Sequence, residues 1–108
     1  MNPKSVYQKH MEAVTEWADK EMAASILEAT AKQLKAKIAI DFRDRGCSIS
    51  EAALRAEASD EWMDAERRKI QARREANNAR GHVKAVEGYV DAWRTVEASE
   101  RAANRYQV

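Results

Sequence analysis

With 108 residues the chain is read as one domain, and 19 Lys and Arg against 18 Asp and Glu leave a net charge of only +1, which argues against a strongly basic polyanion binder and against an acidic tail. Alanine accounts for 21 residues while Leu, Ile, Val and Phe total 16, so a core of large side chains is thin. The charges compensate and Ala, Glu, Lys and Arg favour helix, so the composition points to a charged helical fold and not to disorder.

The first helix is expected over residues 3–45. Asn2 offers a side-chain oxygen at the N-cap, and Pro3 stands at the first helical position, where its missing N–H costs nothing. Gly46 is expected to end it, because glycine adopts the left-handed conformation after a helix without strain. No other Gly or Pro interrupts this stretch, which would span roughly 60 Å at about 1.5 Å per residue. Ser48-Ile49-Ser50-Glu51 has capping-box spacing and predicts a short helix over 49–57 in the connection, with Glu51 reaching back to Ser48. Ser59 reads as the next N-cap, and Asp60, Glu61 and Asp64 suit the positive end of a second long helix over 60–104.

In that second helix Trp62, Ala65, Ala72, Ala76, Ala79, Val83, Val86, Val90 and Trp93 recur at steps of three and four, with a gap at Lys69/Ile70. The pattern is a coiled-coil seam, alanine-rich at first and bulky later. An antiparallel return would set Leu34, Ile38 and Phe42 near the alanine half, large against small. It would also bring Ala18 near Val90 and place Trp17 and Trp93 toward the same open end. The first helix carries a second stripe, Met11, Val14, Ala18, Met22 and Ile26, well over 90° around the cylinder from Leu27, Ala31, Leu34, Ile38 and Phe42. A kinked helix with a drifting seam would explain it, but the favoured reading is an oligomer face. The expected fold is therefore all-α: two long antiparallel helices joined through a short one, dimerising into a helical bundle.

Motifs for chemistry are lacking. Neither His10 nor His82 has a glutamate three residues before it, as bundle metal sites require, and His-Glu-x-x-His does not occur. Cys47 is the only cysteine, so no internal disulfide forms, and no histidine lies close in sequence to serve it as a base. Gly46, Gly81 and Gly88 build no phosphate loop. The expectation is a protein that is not an enzyme and uses no cofactor or metal. No apolar run approaches the roughly 18 residues of a membrane span, and Met1-Asn2-Pro3-Lys4 does not read as a signal peptide. With the lone thiol, this suggests a soluble, cytoplasmic protein.

Charge is segmental. Residues 46–66 hold six acids and one base, whereas residues 67–84 hold seven bases and one acid. Lys69, Arg73, Arg80 and Lys84 fall within about 60° beside the seam, and Arg73 and Arg80 have no acid three or four residues away. With Lys32, Lys35, Lys37, Arg67 and Arg74 they form a candidate belt for nucleic acid or a partner, since clustered bases release counterions from phosphates. The alternative is a coiled-coil flank whose bases meet acids of the facing helix.

The stretches Gly46-Cys47-Ser48-Ile49-Ser50-Glu51, Arg55-Ala56-Glu57-Ala58-Ser59-Asp60-Glu61-Trp62 and Asp91-Ala92-Trp93-Arg94-Thr95 resemble small helical-hairpin proteins of tailed phages and prophages, over about residues 46–103. The resemblance implies a phage origin and an accessory role in DNA recombination or replication, exercised through another protein or DNA. A small inhibitor of a host defence system, of the anti-CRISPR kind, is the alternative, and a purely structural oligomerisation module is a third. No catalytic residue comes with it.

Overall fold

A computed structural model describes residues 3–105, with side chains from Ser5 onward. The described residues form three helices and no strand: α1 over Pro3–Asp44, α2 over Ile49–Glu57 and α3 over Asp60–Arg105. The expected Asn2 cap lies outside the described residues.

The turn after α1 follows from local chemistry. Gly46 sits at φ +102°, its N–H donates to the Arg43 carbonyl at 2.9 Å, and the Cys47 N–H donates to the Phe42 carbonyl at 3.1 Å. These two bonds are a Schellman closure, which satisfies carbonyls the helix end would leave open. Ser48 then caps α2 by accepting from the Glu51 N–H at 3.2 Å. Glu51 does not reach back to Ser48; its carboxylate meets Arg55 at 2.9 Å instead, so half of the expected box forms. Ser59 separates α2 from α3: its hydroxyl donates to the Ala56 carbonyl at 2.7 Å and accepts from the Trp62 N–H at 3.3 Å.

The chain divides into two compact units, residues 19–77 and the remainder, Met1–Ala18 with Asn78–Val108. In residues 19–77 the hairpin closes at the turn, and α2 lies beside the last turns of α1, with Lys35 Nζ 2.9 Å from the Glu57 carboxylate and Arg55 over the Phe42 ring. Ala24, Ala31, Ala52, Ala56 and Ala76 are buried to 1% exposure or less. Leu27, Leu34, Ile38, Trp62, Ala65, Lys69 and Ala72 are half-buried around them. Lys69 thus fills the gap in the seam of α3, while Ile70 points outward at 62% exposure. Alanine here sets the helix spacing, because a small side chain lets two backbones approach closely while its helix propensity keeps both rods intact.

In the other unit Val6, Ala13, Ala79, Val83 and Val90 are buried, and His10, Trp17, Val86 and Trp93 are half-buried. Two contacts set the antiparallel register. His10 Nε2 lies 3.4 Å from the Glu87 carboxylate, and Arg94 donates to the Tyr7 hydroxyl at 2.9 Å. Trp93 is therefore level with the region of Tyr7, about ten residues from Trp17; both tryptophans lie in this unit, away from the turn, but at different levels. Val90 is buried but Ala18 is exposed, so the expected Ala18–Val90 contact is absent. The physical reason is the role of α2. It belongs to the returning limb of the hairpin instead of standing aside as a connector, which moves the partner of every α1 residue several positions back along α3.

The inward face of α1 also differs from expectation. It runs through Val6, His10, Ala13, Trp17, Lys20, Ala24, Leu27, Ala31, Leu34 and Ile38, at unbroken steps of four and three, all buried or half-buried. Phe42, one step further, is half-buried. The second stripe is not part of this seam.

Candidate interaction surfaces

The candidate belt separates into paired and unpaired bases. Arg73 is the most engaged: its guanidinium donates to Glu21 at 2.7 Å and to Glu28, both on the facing stretch of α1. The bond to Glu21, then that to Glu28, raises its pKa above the ordinary arginine value and holds the charge in place. The expectation that Arg73 lacks an acid was limited to its own helix; its partners lie 52 and 45 residues away in sequence. Lys35 is taken by Glu57 and stands 5.1 Å over the Trp62 ring, and Lys69 meets Glu66 at 2.8 Å. For these three the flank reading applies, bases meeting nearby acids.

Lys32, Lys37, Arg67, Arg74, Arg80 and Lys84 are exposed and form no ion pair among the described residues. They do not make one belt. At about 100° per residue Lys32 and Lys37 fall on opposite flanks of the outer face of α1, Arg67 and Arg74 on the outer face of α3, and Arg80 and Lys84 beside the seam with Arg73. Lys32, Lys35 and Lys69 do share a groove of about 270 Å³ with Glu28, Trp62 and Glu66. The Trp62 Nε1 is buried there without a hydrogen-bond partner. The carboxylates of Glu28, Glu57 and Glu66 balance most of the groove's positive charge, which weakens it as an anion site.

The candidate oligomer face is solvent-facing within the chain. Met11 is 63% exposed, Ala18 is exposed and Val14 is half-buried in one unit; Met22 at 65% and Ile26 at 58% belong to the other. In residues 19–77 the face continues beyond the residues first singled out. Met22, Ile26, Ala29, Gln33, Ala36 and Ile40 are all exposed and follow steps of four and three, opposite the buried Ala24 and Ala31. Thr30 at its edge donates to the Ile26 carbonyl at 2.7 Å, so its hydroxyl can be covered without losing a partner. The heptad spacing that carries the stripe from Ile26 to Ile40 is present in the sequence, but the expected face stopped at Ile26.

Grooves of about 380 Å³, lined by Val6, Lys9, His82, Ala85, Val86 and Tyr89, and about 240 Å³, lined by Tyr7, His10, Glu87, Val90, Asp91 and Arg94, lie in the other unit. Among the described residues no three His, Cys, Asp or Glu side chains are placed to hold a metal ion. Nor is any helix among them long and apolar enough to cross a membrane. Cys47 is free and half-buried, one residue past Gly46, at the position whose side chain packs toward Phe42 in a Schellman turn.

No family model matches the chain, and neither a curated protein nor a solved structure matches it.

Proposed function

We propose that this protein is a non-catalytic recognition module that docks an amphipathic helix of another protein along the outer face of α1. The observation that carries the reading is the exposed heptad Met22, Ile26, Ala29, Gln33, Ala36 and Ile40, with three large apolar side chains each more than half exposed. A helix that buries one heptad seam inside its own fold and presents a second outside has two partners to satisfy. Lys32 and Lys37 flank this outer face and form no ion pair among the described residues, so the occupant that suits it carries carboxylates beside its apolar stripe. We take the partner to be one engaged in DNA recombination or replication, as the sequence resemblance of residues 46–103 implies; a host defence protein is the rival.

The test uses two synthetic helical peptides with leucines at heptad positions, one flanked by glutamate and one by lysine, titrated by fluorescence anisotropy. The chain should bind the glutamate peptide preferentially, Ile26→Asp with Ile40→Asp should abolish binding, and Lys32→Glu with Lys37→Glu should reverse the preference. Equal binding of both peptides, or binding that survives the double aspartate variant, refutes the reading.

A nucleic-acid role is a second reading, supported by the six exposed bases that form no ion pair among the described residues, with no need for a contiguous belt. If several of them contact phosphates, log K should fall with log salt by about 0.9 per phosphate on duplex DNA. The absence of any mobility shift at low salt removes it.

A further inference from the structure

The outer face of α3 within residues 19–77 presents a different pattern from that of α1. Residues 46–66 hold six acids and one base, a net of −5, and residues 67–77 hold five bases and one acid, a net of +4. The change of sign falls within one continuous helix, α3, about two turns from its start. Neutralisation inside the chain removes part of each segment: Glu57 meets Lys35, Glu66 meets Lys69, and Arg73 meets Glu21 and Glu28. What remains on the outside is ordered. Asp60, Met63, Asp64, Arg67, Ile70 and Arg74 are all exposed. At about 100° per residue they fall within roughly 120° of one another, opposite the inward-facing Trp62, Ala65, Lys69, Ala72 and Ala76.

Met63 is 41% and Ile70 62% exposed, so the same face carries the apolar area an interface core needs. Asp60, Arg67 and Arg74 form no ion pair among the described residues. Asp64 makes a local bond to Arg68 at 2.8 Å, but both side chains are more than half exposed and such a pair contributes little.

We infer that this face binds a second copy of the chain, two α3 helices running antiparallel about a two-fold axis near Glu66. A helix whose outer face is acidic before a point and basic after it is complementary to itself when reversed about that point. The axis sets Asp64 and Met63 within about one residue of the levels of Arg67 and Ile70 of the second copy, and Asp60 within arginine reach of its Arg74. Every pair occurs twice, as a two-fold interface requires. Parallel association would instead oppose like charges along the whole face. This inference is independent of the peptide-docking face on α1, which lies on another helix and has basic flanks.

The experiment is sedimentation equilibrium of the full chain across the micromolar range, with circular dichroism to confirm helicity. The wild type should associate, more weakly as salt rises. Arg67→Glu with Arg74→Glu should weaken self-association by more than roughly tenfold, because like charges then oppose each other. Asp60→Lys with Asp64→Lys should do the same. Mixing the two variants should restore association between them, since each then offers the charges the other has lost. A wild type that stays monomeric overturns the inference. So does association that both variants retain, or a mixture no tighter than its components. Ile26→Asp with Ile40→Asp should leave self-association unchanged, which separates failure here from failure of the α1 reading.

Discussion

Two regions of one chain solve the same packing problem with different side chains. In residues 19–77 the buried positions are alanines, and three sets of ion pairs cross between helices: Lys20 with Glu75, Arg73 with Glu21 and Glu28, and Lys35 with Glu57. In the unit built from the two chain ends, valines take over at Val6, Val83 and Val90, and the register rests on His10–Glu87 and Tyr7–Arg94. An alanine seam contributes little apolar area per residue, about what a single methyl buries. Its gain is close approach, and close approach tolerates no added volume. A valine seam contributes more area and fails through lost volume instead.

The comparison predicts opposite sensitivities. The largest effect is expected from Ala76→Leu, since Ala76 is fully buried and a larger side chain must push the helices apart: about 1–3 kcal/mol of stability, or somewhat more, by urea unfolding. Val83→Ala should follow at about 1–2 kcal/mol, from roughly 0.8 kcal/mol per methylene removed plus the residual cavity. If Ala76→Leu is neutral while Val83→Ala is severe, the seam of residues 19–77 is looser than described. At the turn, Gly46→Ala should remove about 1 kcal/mol because φ +102° suits glycine alone. Ser48→Ala should cost a similar or smaller amount through the lost bond to the Glu51 N–H. The smallest change is expected from Arg73→Met. It leaves Glu21 and Glu28, two turns apart on one side of α1, without their shared cation, so the variant should be less stable at low salt and regain much of the difference at high salt.

The helices themselves were legible because their signals are local: Gly46 after the last turn of α1, Ser48 and Ser59 at the two later starts, and the heptad of α3. The inner face of α1 was only half legible. Leu27, Leu34 and Ile38 announce it, but toward the N-terminus the same phase passes through His10, Lys20 and alanines, while Met11, Met22 and Ile26 advertise a competing stripe. Hydrophobic bulk and helical phase disagreed there, and the fold follows phase. The register was misread for a topological reason, the placement of α2 on the returning limb. Arg73 was misread for a tertiary one, since acids 45 and 52 residues away are invisible to spacing rules. The exposed heptad of α1 was legible as a second stripe; the spacing that extends it to Ile40 is also present in the sequence, but the expected face stopped at Ile26.

We expect the alanine seam with its crossing ion pairs, closed by the Schellman turn, to be the firmest part of the molecule, leaving its outer faces free to bind. Native-state hydrogen exchange measures this directly, because amides that open only with global unfolding are distinguished from those that open locally. Amides of Ala24–Leu34 and Ala65–Ala76 should exchange only through global unfolding, while those of Val83–Val90 open at lower free energy. Protection that is highest at Val83–Val90, or lost first at Ala65–Ala76, would contradict it.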